Sequence, residues 1–277
     1  MNTYINPAPC TWEELCMRPS SDNPVVRERV EKIIERVRQG GDKALREIAL
    51  EIDKAEMDSF AVTEAEFEEA AARITPEVRK AIAEASANLL AFHRAQMPKA
   101  IEVETVPGVR CWQKPMAIGR VGLYIPGGTA PLFSTVLMLA LPAKVAGCRE
   151  VILCTPAREG KVSAEVLYAA RECGITKVFK IGGAQAVAAM AYGTESIPKV
   201  DKIFGPGNRF VMAAKQAVSL GDVAIDMPAG PSEVCVVADE TSNPVFVAAD
   251  LLSQAEHGID SQVILISTDE DILQKVK

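Results

Sequence analysis

From Arg120 onward the chain alternates short apolar runs with stretches of helical periodicity: VGLYI (121–125), EVILC (150–154), KVFKI (177–181) and DKIF (201–204), each followed by a turn and then a helix. A strand reached through a crossover helix lies parallel to the one before it, and such crossovers are right-handed. This alternation predicts an α/β fold built on a parallel sheet. Pro142 lies inside the first of these helices and predicts a break there, because its ring removes an N–H and crowds the preceding turn. After the proline-rich DMPAGPSE come another strand, VCVVA, a helix started by Asn243-Pro244, the strand SQVILIS and the beginning of one more helix. That last stretch, 269–277, carries no helix stop signal, which predicts that the natural protein continues beyond Lys277.

The first third reads as helix. Apolar positions recur at helical spacing from Val25 to Leu50, a capping box spans Thr63 to Glu66, and a second start at Thr75 with Pro76 runs to about Gln96. The runs IEVETV and VRCWQKPMAI predict a hairpin around Pro107-Gly108. With 48% hydrophobic and only 5% aromatic residues in 277, the chain has enough apolar surface for one large core or two modest ones. A net charge of −7 with dispersed Lys and Arg gives no electrostatic footprint for nucleic acid. No apolar run reaches the roughly 18 residues of a membrane span, and MNTYINPAPCTWEELC lacks the basic and apolar regions of a signal peptide, so cytoplasm is the expected location. The cysteines at 10, 16, 111, 148, 154, 173 and 235 are odd in number and form no CxxC pair, which argues against a disulfide framework and against a zinc-thiolate site. Most are expected to be small core residues. Cys111, Cys148, Cys154 and Cys235 have no His or Lys pair beside them in sequence to activate a thiolate.

Three strands end in glycine-rich turns: Ile125-Pro126-Gly127-Gly128, Ile181-Gly182-Gly183-Ala184-Gln185 and Gly205-Pro206-Gly207-Asn208. In a parallel sheet these ends share one edge, where open α/β sheets bind ligands and helix N-termini receive anions. None is GxGxxG, and glycine is common between strand and helix, but each turn lies beside a hydrogen-bonding side chain, Tyr124, Gln185 or Asn208. The set points to a nucleotide-type small molecule. Farther on, LLSQAEHG places Gln254 and His257 at i, i+3, about 5 to 6 Å apart on one helix face and able to meet one cation. A helix-terminal Gln/His pair with no metal is the alternative. His93, the only other histidine, sits among Leu89, Leu90 and Phe92 and reads as structural. Asp250, at i−4 from Gln254, is placed either to orient a ligand or to be a solvated acid, and Ser232, following Gly-Pro, reads first as an ordinary turn hydroxyl.

Together GRVGLYIPGGTAPLFSTVLMLALPAKVAGC, KIGGAQAVAAMAYGTESIPKVDKIFGPGN, AIDMPAGPSEV and DLLSQAEHGIDSQVIL strongly resemble the histidinol dehydrogenases, from about Arg110 to Ile266. The resemblance implies incomplete Rossmann-like α/β domains with a helical N-terminal region. The expected organisation is an N-terminal arm (1–20), a first, incomplete α/β domain (21–119 with 233–277) and a nucleotide-binding domain (120–232). It further implies NAD-dependent oxidation of L-histidinol through L-histidinaldehyde to L-histidine on a zinc-dependent homodimer. By the same resemblance Tyr124, Gln185 and Asn208 contact NAD; Ser232, Gln254 and His257 contact substrate; and Gln254 and His257 also bind zinc. That family's remaining zinc ligands, an Asp and a His, and its Glu-His acid–base pair lie downstream of QAEHG. The expectation is therefore that residues 1–277 hold no catalytic acid–base residue and are inactive by themselves. The rival expectation is a non-catalytic module that binds nucleotide or dimerises.

Overall fold

The computed structural model of the chain describes residues 2–17, 24–54, 56–127, 132–227, 232–256 and 261–277. Its contacts separate two units, one formed by residues 24–228 and a smaller one combining 1–23 with 229–277. Helix α1 (Trp12–Leu15) belongs to the smaller unit.

The larger unit opens with α2 (Pro24–Ile48), which buries Val26, Val30, Ile33, Ile34 and Val37 along one stripe. The periodic stretch is not one straight helix. Gly41 sits at φ 51°, ψ −135°, a conformation that a side chain resists, and the helix restarts at Asp42. The restart is capped from a distant loop: Glu195 accepts the Asp42 N–H at 2.7 Å, while the buried Asp42 carboxylate accepts the Ser196 N–H at 3.3 Å and the Ser196 hydroxyl. Helices α3 (Glu64–Arg73) and α4 (Pro76–Ala95) begin where the spacing predicts, at the reciprocal Thr63/Glu66 capping box and at Thr75-Pro76. The predicted hairpin forms as β1 (Ile101–Val106) and β2 (Val109–Gln113), with Gly108 at φ 85° in the turn and both strands exposed throughout.

Strands and helices then alternate as β3 (Arg120–Tyr124), α5 (Phe133–Val145), β4 (Glu150–Thr155), α6 (Ala164–Glu172), β5 (Lys177–Lys180), α7 (Gly183–Tyr192), β6 (Lys202–Phe204), α8 (Arg209–Ser219) and β7 (Ala224–Ile225). All five strands are parallel, in the order β5-β4-β3-β6-β7. The chain winds outward from β3 to β5 and then returns to the other side of β3, so strand order reverses between β3 and β6. β7, two residues long, is too short for periodicity to reveal. Alternate residues face opposite layers. Tyr124, Ile152, Cys154 and Phe179 pack with α2, α7 and α8, whereas Val121, Leu123, Leu153 and Val178 pack with α3, α4, α5 and α6. Both faces are buried, which is why these strands read as unbroken apolar runs. A Cβ on Gly122, in the central strand, would meet the Met190 sulfur at 2.6 Å, so glycine is what lets α7 lie close to β3. On the outer edge of β5, the Phe60 carbonyl accepts the Lys180 N–H at 2.7 Å and the Val62 N–H donates to Val178 at 2.9 Å, covering an edge that would otherwise stay open.

One expectation changes. Pro142 does not split α5, which continues to Val145. It lies in the last turn, so only one backbone bond is forgone before the helix ends, and the Ala146 N–H closes that end on the Pro142 carbonyl at 2.8 Å. The contacts group residues 24–119 with the sheet of 120–227. The apolar stripes of α2, α3 and α4 are satisfied by the two sheet faces.

In the smaller unit β8 (Glu233–Ala238) and β9 (Gln262–Ser267) pair in parallel, joined through α9 (Pro244–Ala255) and followed by α10 (Glu270–Val276). Ala238, Val247, Leu251 and Ile272 form its core. Asn243 caps α9 by accepting the Val245 N–H at 2.9 Å, as the Asn-Pro start implies. No helix among the described residues is long and apolar enough to cross a membrane.

The Asp42 cap gives stability a pH dependence. Burial by itself would raise this carboxyl, but hydrogen bonds from the Ser196 and Thr194 side chains and the Ser196 N–H outweigh it and leave Asp42 below its ordinary value of 3.8. The stabilisation is therefore fully present above the unfolded value and is lost as pH falls through the lower folded one. Urea unfolding at about pH 6 and about pH 3 should show the wild type losing more stability than Asp42→Asn. Equal losses would refute the assignment.

Candidate active site

The carboxyl ends of β3, β5 and β6 meet around Tyr124. Its ring is buried, its hydroxyl accepts the Gly183 N–H at 3.0 Å, and its backbone carbonyl lies where a Cβ on Gly205 would sit. One residue thus joins the turn after β5 to the turn after β6, across the reversal in strand order. Open α/β sheets leave a crevice at that reversal.

The glycines in these turns have their first cause in packing. A Cβ on Gly182 would strike the Pro156 ring, one on Gly207 the side chain of Val211, and one on Gly205 the Tyr124 backbone. Packing of turn against turn demands them before any ligand does. What faces a ligand is the start of the helices. Helices α5, α7 and α8 carry no acidic residue in the first turn, whereas α3, α4 and α6 do. An anion at α7 or α8 meets a positive dipole end that no carboxylate in the helix's first turn has neutralised.

Gln185 is only 4% exposed and folds back over Gly183, its Oε1 2.6 Å from where a Gly183 Cβ would stand. Among the described residues its amide has no hydrogen-bond partner. The amide atoms are not among the buried polar atoms left without a partner, so they reach the surface of this edge, where an unbonded amide beside a helix N-terminus suits a polar ligand group. Asn208 is the N-cap of α8, its Oδ1 accepting the Phe210 and Val211 N–H groups at 3.0 and 3.1 Å; its amide nitrogen is not used by these bonds.

The sequence model of the histidinol dehydrogenase family matches residues 16–277. The chain belongs to the histidinol dehydrogenase family. A relative named histidinol dehydrogenase from Bacteroides fragilis (strain YCH46) is 60% identical over 266 residues, 96% of this chain and 62% of that protein. One from Salmonella choleraesuis (strain SC-B67) is 53% identical over 281 residues, 99% of this chain and 64% of the relative. The crystal structure of histidinol dehydrogenase from Elizabethkingia anophelis superposes with a TM-score of 0.93 at 50% identity, covering all of this chain and 64% of that one. The chain therefore spans somewhat under two thirds of the length of these relatives.

In the smaller unit Gln254 is half-buried on the last turn of α9, and its Nε2 donates to the Ser261 hydroxyl at 3.1 Å. That bond leaves the amide oxygen as the atom offered elsewhere. Asp250 does not orient it: its carboxylate is exposed one turn earlier, and Ser261 does the holding instead. Ser232 is exposed, immediately before β8. His257, Gly258 and Gly128 lie outside the described residues. Among the described residues no three His, Cys, Asp or Glu side chains gather as a metal would require.

His93 and the buried cysteines are engaged or inert. His93 is bonded through Nδ1 to Gln96 Oε1 at 2.7 Å and meets Phe92 edge-on, in the last turn of α4, where a structural role was expected. Burial pushes the Cys154 thiol far up and the Cys173 thiol up to about 11; Cys148 is raised more modestly by the same cause. Cys10, Cys16, Cys111 and Cys235 are exposed, so most of the seven are not core residues as expected. Cys111 lies on β2, which is exposed throughout, and Cys235 alternates outward on β8.

The close approach of Gly205 sets a stability test. Gly205→Ala combines a φ of 132° with a collision on the Tyr124 backbone, and should cost roughly 3 kcal/mol or more. Gly160→Ala has a φ of 75° but nothing within 4 Å, and should cost only about 1 kcal/mol. Equal costs in urea unfolding would show that the strand ends do not constrain each other.

Proposed function

We propose that this chain carries the dinucleotide site, and part of the substrate and metal site, of an NAD-dependent enzyme that oxidises L-histidinol through L-histidinaldehyde to L-histidine, and that the whole protein works as a zinc-dependent cytoplasmic homodimer. The observation that carries the reading is the Gln185 amide, unbonded among the described residues and open to the surface at the start of an acid-free helix, on the edge where Tyr124 joins two turns. Membership of the histidinol dehydrogenase family names the reaction.

In this reading the N-termini of α7 and α8 hold the dinucleotide's pyrophosphate, with the Gln185 amide and the Asn208 amide nitrogen fixing its polar groups. Tyr124 keeps the two turns at a fixed separation and excludes water from beneath them. NAD, when bound, supplies the hydride acceptor. Ser232, Gln254 and His257 contact the substrate, and Gln254 and His257 also hold zinc. The donor chemistry suits the metal: Ser261 takes the Gln254 NH2, leaving an oxygen for the cation, and an imidazole is a common zinc ligand. Zinc would supply a template for the substrate's amine and imidazole nitrogens. Two protein donors are fewer than the three or four that zinc sites use, so these residues alone bind it weakly. Alcohol oxidation also needs a base of near-neutral pKa. Of the two histidines in residues 1–277, His93 is tied to Gln96 and His257 is assigned to metal.

Calorimetric titration of residues 1–277 with NAD should give saturable binding below roughly millimolar ligand; no heat at that concentration would refute the dinucleotide site. Added histidinol and zinc should produce no NADH from this polypeptide by itself. NADH formation would place the base inside the chain and overturn the reading of His93. In the longer protein His257→Ala should lower zinc content after dialysis far more than His93→Ala, and equal losses would remove His257 from the metal site.

A further inference from the structure

Among the described residues Lys215 is the one lysine of the larger unit that is almost wholly buried, 1% exposed in the middle of α8, on the inward face with Val211, Ala214 and Val218. A methionine there would fill the same space without desolvating a charge, which costs several kcal/mol unless well paired. The charge is answered twice. Lys215 Nζ donates to the Gly205 carbonyl at 2.7 Å and forms an ion pair with Asp226 Oδ1. Asp226 Oδ2 in turn accepts the Gly205 N–H at 2.8 Å. Both polar groups of a single residue are therefore held by opposite charges that also hold each other.

Gly205 is where such a clamp has consequences. It lies at φ 132°, against the Tyr124 backbone, and begins the turn that ends at Asn208, the cap of α8. Asp226 follows β7, whose pairing fixes it beside β6, and its own N–H donates to the Ile203 carbonyl at 3.1 Å. The sheet thus supplies the carboxylate, the helix supplies the ammonium, and the turn between them is locked to both. We propose that Lys215 and Asp226 are positioning residues for the dinucleotide, holding the turn at 205–208 so that Asn208 and the N-terminus of α8 stand at the right height beside Tyr124. This rests on the NAD reading above.

The test compares NAD affinity among variants of residues 1–277 at a temperature where circular dichroism shows each fully folded. Lys215→Met and Asp226→Asn should weaken NAD binding on the order of tenfold to a hundredfold, the penalty for misplacing a site by about an ångström. Asp42→Ala, which removes a buried hydrogen-bonded carboxylate at the opposite end of α7, should lower the urea midpoint and leave NAD affinity unchanged. A purely structural role for Lys215 would move stability but not the affinity of folded protein. Lys215→Met with affinity within about threefold of wild type overturns the proposal. If Lys215→Met fails to fold, Asp226→Asn, nearly isosteric and still offering an acceptor to Gly205, decides by the same criterion. A wild type that does not bind NAD overturns the dinucleotide reading and this one with it, whereas a binding wild type with unaffected variants overturns this one alone.

Discussion

The larger unit depends on how tightly β3 is enclosed. It pairs with β4 on one side and β6 on the other, and Gly122 and Tyr124 both point toward the α7–α8 layer. At Gly122 there is no room for a methyl group, so α7 is drawn against the strand; at Tyr124 the side chain fills the space beneath the two flanking turns. Interiors this dense transmit position rather than absorb it. The strand that organises the sheet therefore also sets the spacing of the ligand edge.

That edge is held by polar contacts made within an apolar frame. The Tyr124 hydroxyl takes the first N–H of α7, Asn208 takes two from α8, and the Lys215–Asp226 pair takes both groups of Gly205. Each satisfies a backbone group that a strand end or helix start leaves without a partner. The Gln185 amide and the Asn208 amide nitrogen take no part in these bonds.

The helices around the sheet show the same economy of means at a larger scale. α2 is two helices joined at Gly41, because a straight rod would carry residues 42–48 away from the sheet; the bend is fixed by Glu195 and Ser196 from the loop after α7. Capping across 150 residues of sequence ties the N-terminal helices to the middle of the chain, and residues 24–119 accordingly pack with the central sheet.

Local signals in the sequence determined much of this. The capping box at Thr63, Pro76 after Thr75, Asn243 before Pro244, and the apolar runs of β3 to β6 act within a few residues, through hydrogen bonds and periodicity that need no partner from elsewhere. The four long motifs likewise carried the family, from which the roles of Tyr124, Gln185, Asn208, Ser232, Gln254 and His257 are proposed. Only the tertiary structure decided why the turn glycines are glycines, since Pro156, Val211 and Tyr124 reach them from other elements. It also decided that Ser261 rather than Asp250 holds Gln254, and that Lys215 and Asp226, eleven residues apart and unremarkable in sequence, close on Gly205. A side chain's local neighbours fix the element it joins. Which distant backbone group it meets depends on strand order and helix packing, and those follow from burying both faces of one sheet.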